Sequence, residues 1–338
     1  MKHILYYIAL LLLVLSCTKQ DKPATGIALT FEAKAEDASF AGKAGAGQGV
    51  IQTTDSNLKD HPFGVFGVYS DVAGDENCTN VFLSSAAQQV SWNTDKWTYD
   101  PLQYWKLNKF YRFRAYHPYS GSAFSINAMS DGDDIFIEYA INAGKEDLLV
   151  GFQTVESTAS NIKNKVRFAF KHALCALEFK IAFKNDPNIA DGTDNLTSFH
   201  LSGLIPTGTL QYTHEDGNNL SEVIKWHATY FDDGEYYEWT GSKPFQKYNG
   251  SNATIVFDGN GRVFCIPQTC SPSETKKTTV NFKTEKAGDA VHSAPLPNMQ
   301  WEPGKIYSYT LLINESNLEI SVTIKDWDVI QANEDLFL

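Results

Sequence analysis

The 338 residues carry 40 acidic and 28 basic side chains, for a net charge of −12. With no basic run anywhere, that balance argues against nucleic acid and anionic membrane surfaces as partners. The 16 Tyr, 21 Phe and 7 Trp, with frequent β-branched residues, favour sheets; no segment sustains a helical period, and the length suits two domains of ordinary size.

The chain opens on Lys2 and His3, an apolar run from Ile4 to Leu15, then Ser16 and Cys17. A basic start, a short apolar core and a small residue before a break form a secretory signal, too short to span a bilayer as a mature helix. Val14-Leu15-Ser16-Cys17 resembles the bacterial lipobox. Cleavage before Cys17 and lipid on its sulfur are therefore expected, giving stable attachment to a membrane. Residues 1–16 are then signal peptide and 17–26 a polar tether, in which Lys19-Gln20-Asp21 is partly similar to a surface-export signal.

Ile27, Leu29 and Phe31 alternate with polar or small neighbours and predict a short first strand. Ala33 to Gly49 is Gly- and Ala-rich and predicts a linker open to proteases, with Lys34 and Lys43 as targets for a trypsin-like enzyme. Its glycines lack the context of a phosphate loop. Phe63–Tyr69 is apolar on both faces, as a central strand is. Strands follow at Val90–Asn93, Lys96–Tyr99, Phe110–Tyr119, Ile135–Tyr139 and Asp147–Phe152. On the Phe110–Tyr119 strand, Tyr111, Phe113 and Ala115 oppose Arg112 and Arg114. Residues 153–164 are polar and weakly patterned, which predicts a boundary between domains at 27–155 and 156–338.

From Val166 to Phe170 the apolar residues fall on even positions, but from Leu177 to Phe183 they fall on odd ones. A one-residue slip exchanges faces, so a bulge or bend must lie near His172–Ala176, with the His172 ring bonding backbone at the bend. Phe231–Trp239 is predicted to be an acidic, aromatic loop or hairpin. Strands return at Ala253–Phe257, Arg262–Pro267 and Thr278–Lys283. The chain closes on a predicted hairpin: Tyr307, Tyr309, Leu311 and Ile313 share one face, then Leu318, Ile320, Val322 and Ile324 another. Such a hairpin leaves a strand edge to be covered.

Of the cysteines after the lipobox, Cys175 is expected to be a small buried hydrophobe. Cys265 and Cys270 either bridge the loop between them or remain free. Trp226, Tyr230, Tyr236, Tyr237 and Trp239, beside Asp232, Asp233 and Glu235, offer either a sugar platform or sandwich core. No nucleophile elbow, zinc helix or spaced His/Cys cluster is present, so neither catalysis, metal nor cofactor is expected.

The order of these pieces resembles the fimbrillin family, the type V pilus subunits of Bacteroidia-type bacteria. The similar stretches are the lipobox, Phe63-Gly-Val-Phe-Gly-Val-Tyr69, Tyr104-Trp105, Phe113-Arg-Ala-Tyr-His-Pro-Tyr119, Asp147-Leu-Leu-Val150, Val166–Leu174, Pro303–Tyr309 and Thr323-Ile-Lys-Asp-Trp327. The resemblance implies an all-β chain of two tandem transthyretin-like β-sandwiches. It also implies a surface lipoprotein of the outer membrane, cut at Lys43 or Lys34 so that the Ile27–Phe31 strand leaves and a strand of another fimbrial subunit takes its place. The eleven residues after Trp327 alternate poorly, which favours a tip, accessory or anchor subunit over a stalk subunit. The partners implied are other subunits and a host or bacterial surface ligand, protein or glycan; the alternative is a carbohydrate-binding lipoprotein that does not polymerise.

Overall fold

The computed structural model describes residues 26–326, apart from 36–57, 76–77, 84–86, 122–123, 128–134, 142–145, 186–192, 216–220, 229, 260 and 315–317. The described chain is all β. Its first ten strands are β1 (Phe31–Ala35), β2 (Phe63–Ser70), β3 (Asn80–Val81), β4 (Gln88–Asn93), β5 (Lys96–Thr98), β6 (Phe110–His117), β7 (Phe124–Asn127), β8 (Ile135–Ala140), β9 (Leu149–Glu156) and β10 (Val166–His172). Eight of them form one sheet in the order β1-β10-β9-β6-β2-β4-β5, with β3 also on β2. β1 runs parallel to β10.

The doubly apolar run at Phe63–Tyr69 becomes β2, which is buried at every position. β6 is buried throughout as well. Tyr111, Phe113 and Ala115 join Phe63, Val65, Phe168 and Phe170 in the first core. Arg112 and Arg114 point the other way, as the alternation predicts, yet each is only 2% exposed. Both faces of this sheet are therefore covered.

The remaining strands are β11 (Cys175–Asn185), β12 (Thr193–Leu204), β13 (Thr207–Glu215), β14 (Ser221–Ala228), β15 (Asp232–Gln246), β16 (Thr254–Ile255), β17 (Arg262–Cys265), β18 (Thr269–Cys270), β19 (Thr279–Thr284), β20 (His292–Pro295), β21 (Met299–Gln300), β22 (Lys305–Asn314) and β23 (Leu318–Asp326). One sheet runs β16-β11-β22-β23, with β17 also on β11; another runs β15-β12-β19-β20. Leu177, Phe179 and Ile181 of β11 and Tyr307, Tyr309 and Leu311 of β22 meet Leu196, Phe199 and Leu201 of β12 and Val280 and Phe282 of β19 in a second core. Two sheets contributing alternate residues to one core is the packing of a β-sandwich. A further sheet, β14-β13-β8-β7, contributes Ile137, Tyr139, Leu210 and Tyr212 to a third cluster. That cluster also takes Tyr116 from the back of the first sheet and Ala176, Phe264 and Ile306.

The phase change near His172 marks a passage between sheets. β10 ends at His172 in the first sheet and β11 begins at Cys175 in another, with Ala173 and Leu174 buried between them. At that bend His172 places its Nδ1 2.7 Å from Oδ2 of Asp147, and both residues are buried. Sheet membership therefore changes at 173–174, whereas the polar stretch at 153–164 is the half-exposed end of β9 and a 3-10 turn at Asn161–Lys163. Phe231–Trp239, expected as a loop or hairpin, lies almost wholly in the 15-residue strand β15. The expected hairpin forms from β22 and β23, which pair from Lys305 opposite Asp326 to Ile313 opposite Leu318.

β12 bends at Gly203, where φ is +72° and an added Cβ would meet the Lys277 carbonyl oxygen at 2.2 Å. The β12–β15 register shifts there, between Ser202 and Leu204. Gly203→Ala adds a left-handed backbone penalty to a clash with main chain. It is expected to cost about 2–4 kcal/mol, read as a lower urea midpoint with an unchanged slope.

Candidate functional site

The first strand closes a seam. From Phe31 to Ala35 it pairs with Val166 to Phe170 of β10, and the Val166 N–H donates to the Thr30 carbonyl at 2.8 Å. Just before, Ala28 bridges Tyr104 in antiparallel sense. The Leu29 N–H donates to Gln103 O at 2.8 Å, and the Trp105 N–H to Ile27 O at 3.2 Å. Residues 103–105 follow β5, which ends the sheet opposite β1. Residues 27–35 thus make backbone bonds on both sides, to β10 at one edge and to residues 103–105, beyond the end of β5, at the other.

Alternation decides which side chains face inward. Leu29 is 0% exposed and Phe31 2%; Ala33 is buried and Ile27 packs at the margin of the first core. Phe31 sits among four rings, with centroids 5.2 Å away at Tyr99, 5.9 Å at Phe168, 6.1 Å at Phe113 and 6.4 Å at Phe63. The Tyr99 hydroxyl donates to the Leu29 carbonyl at 3.0 Å and accepts the Gln103 N–H at 3.2 Å. Burial raises the Tyr99 phenol to a pKa of about 12, so it stays protonated and keeps donating at neutral pH. On the solvent side Glu32 meets Arg167 at 2.9 Å and Lys165 at 3.7 Å. Such exposed pairs contribute little, about 0–1 kcal/mol. Apolar side chains and backbone bonds therefore hold the strand.

Of the residues singled out in the sequence, Ile27, Leu29 and Phe31 lie in this seam, as does Lys34, opposite Ala169 within β1. The strand continues through Ala33–Ala35, which the Gly/Ala-rich composition assigned to the linker. Lys43 and Cys17 lie outside the described residues. Leu318, Ile320, Val322 and Ile324 sit apart, on β23 at the edge of another sheet. There Leu318, Ile320 and Val322 are half-buried against the second core and Ile324 is 54% exposed. Of the seam-lining residues, Tyr99 and Gln103 were not singled out by sequence, and Trp105 and Phe168 only as parts of longer stretches, none of them as seam residues. For the three rings the signal is aromatic density, which does not say which rings meet.

The candidate sugar platform is dispersed. Tyr237 is core, its hydroxyl donating to Phe264 O at 2.8 Å, and Trp226 lies on β14 with Nε1 donating to Ala173 O at 2.8 Å. Tyr236 donates to Asp232 at 2.7 Å and Trp239 to Asp258 at 3.2 Å. Only Tyr230 of the five aromatics is mostly exposed. Among the described residues, no group of three His, Cys, Asp or Glu side chains is placed to hold a metal ion.

His117, the last residue of β6, is fully buried, with its ring 6.2 Å from Phe170 and 6.4 Å from His61. Burial, then the charge of His61, lowers its pKa from 6.5 to about 3. The unfolded chain therefore takes up a proton that the folded chain refuses. This contribution to stability is intact above pH 6.5 and is lost as pH falls from 6.5 toward 3, by roughly 3 kcal/mol at pH 4. Urea midpoints at pH 7 and pH 4 are expected to differ more for the unaltered chain than for His117→Gln.

A family model for fimbrillin-like proteins matches residues 52–327. No curated protein matches the chain. Among solved structures, a fimbrial protein from Bacteroides vulgatus is similar at a TM-score of 0.56 and 17% identity, over 88% of this chain and 99% of that one. Proteins assigned to cell adhesion from Bacteroides ovatus (TM-score 0.50, 17% identity, 91% of this chain and 98% of that one) and Parabacteroides distasonis (0.50, 8%, 90% and 98%) share the fold as well.

Proposed function

We propose, from the premise that the chain belongs to the fimbrillin-like family, that it is a cell-surface fimbrial subunit built for strand exchange. The observation that carries this is the seam: a strand near the chain's start buries Leu29 and Phe31 while bonded to β10 on one side and to residues 103–105 on the other. Lipid on Cys17 tethers the precursor to the outer membrane. A trypsin-like cut at Lys43, on the far side of β1 from the lipid, frees the strand with its tether. Lys34 is the poorer target because it lies within a paired strand, and proteases bind extended, unpaired chain.

Loss of residues 27–35 leaves a slot with two rims, β10 and residues 103–105, and a floor of aromatic rings. A strand from another subunit regains the ladder bonds and places alternate apolar side chains on that floor. β23, with its apolar residues at the edge of its sheet, is a segment able to offer such a strand. The poor alternation after Trp327 supports a tip, accessory or anchor position over the stalk. From there the subunit serves adhesion to a protein or glycan ligand, and does no catalysis.

Limited trypsin treatment of the purified mature protein tests this. The expected result is loss of residues up to Lys43, an otherwise intact remainder, and a ladder of oligomers on a gel run without boiling. A clipped chain that stays folded and monomeric at high concentration, alone and with partner subunits, sinks the proposal.

A further inference from the structure

The second core contains three cysteines, Cys175, Cys265 and Cys270, that no part of the strand-exchange account uses. Cys175 of β11 and Cys265 of β17 are direct partners across antiparallel strands, the first pair of a register that continues to Glu178 opposite Arg262. Both side chains enter the second core and neither has exposed surface. Opposed side chains on one face of an antiparallel pair have Cβ atoms about 4.5–5.5 Å apart. A disulfide needs about 3.5–4.5 Å, so a shift of about an ångström closes the bond. Cys270, which the sequence offered as the partner of Cys265, lies instead on β18, opposite Met299.

The structure holds Cys175 and Cys265 as thiols. The Cys175 thiol donates to the Cys265 carbonyl oxygen at 3.2 Å. The Cys265 sulfur accepts from Nε2 of Gln268 at 3.3 Å. That amide also donates to the carbonyls of Ile205 and Ile266, each at 3.1 Å, so oxidising the sulfur strands no donor. The two side chains share one face of the strand pair and one core, and their local bonds are replaceable.

We propose that Cys175 and Cys265 are joined by a disulfide in the exported protein, stapling β11 to β17; this rests on the export part of the function proposed above. The oxidant is a protein disulfide of the export route. One cysteine thiolate attacks it to form a mixed disulfide, and the second displaces the oxidant's remaining sulfur. The chain loses two protons and two electrons, and the oxidant leaves as a dithiol. Because neither thiol is exposed in the fold, the exchange occurs before the second core closes. The bond encloses residues 176–264, including β12 to β16, in one covalent loop. It thereby constrains the unfolded chain, and reduction is expected to lower the melting temperature by roughly 5–10 °C.

The test is made on the unaltered full-length mature chain, so it does not depend on a variant folding. Protein recovered from the cell envelope is alkylated in denaturant without reductant, then digested and mapped by mass spectrometry. The expected result is a linked peptide pair carrying Cys175 and Cys265, two hydrogens lighter than the thiols, with Cys78 and Cys270 alkylated. Alkylation of both Cys175 and Cys265, or a Cys265–Cys270 link, overturns the proposal. If the chain fractionates with the cytoplasm, the export premise fails separately. The same map after refolding in mixed oxidised and reduced glutathione then decides the pairing, by the same two outcomes.

Discussion

Protein stripped of everything up to Lys43 is expected to bind a synthetic peptide of residues 26–35, whereas the intact chain is not. The peptide offers what the slot has lost: carbonyls for the Val166 and Trp105 amides, an amide for Gln103 O, and side chains for the space that Leu29 and Phe31 fill. Full burial of a Leu or Phe side chain is worth about 1.5–3 kcal/mol each. Against the entropy of ordering a short peptide, affinity on the order of micromolar is expected. Phase supplies the control. Exchanging Leu29 with Thr30 and Phe31 with Glu32 keeps the composition but moves both large side chains to the outer face, and this peptide is expected not to bind. Equal binding of the two peptides would mean that no shaped slot exists.

Phe31→Ala is expected to destabilise the intact protein by about 3–5 kcal/mol, the usual cost of emptying a phenylalanine site in a packed core. Four rings surround Phe31 at 5.2–6.4 Å, and rigid rings collapse poorly into a void. The melting temperature should fall by roughly 6–15 °C. Part of the loss is local: the weakened strand opens more often, and trypsin should cut at Lys34, in β1, faster than in the unaltered chain. Glu32→Ala, which removes only solvent-side ion pairs, is expected to change either measurement little. Equal effects from the two variants would show that the aromatic floor does not hold the strand.

The sequence discloses what is local and periodic. Period-2 counting predicts the β22–β23 hairpin and which of its residues share a face, and the unbroken apolar run at Phe63–Tyr69 predicts a central strand. The phase change between Phe170 and Leu177 locates the passage between sheets within two residues. What stays hidden depends on partners distant in sequence. β1 fades from the pattern after Phe31 because its next inward residue, Ala33, is small and continues into a Gly/Ala-rich stretch; only pairing with β10 makes it strand. Trp105 and Phe168 meet the first strand from opposite sides, which no local pattern records. The polar, weakly patterned stretch at 153–164 is a half-exposed strand end followed by a turn, a composition that sequence alone does not separate from a linker. The aromatics of 226–239 suggested a platform, but sequence does not show that Tyr237 turns inward and Trp226 belongs to another sheet.

Two backbone amides report on the seam directly. The N–H groups of Trp105 and Val166 donate into the first strand, to Ile27 O and Thr30 O. Their hydrogen exchange can be followed in the intact precursor, in the clipped monomer and in the assembled oligomer. Slow exchange in the first, fast in the second and slow again in the third is the result expected of a slot that is vacated and then filled by a neighbour. Exchange that stays equally slow after clipping, or that stays fast once oligomers have formed, would contradict it.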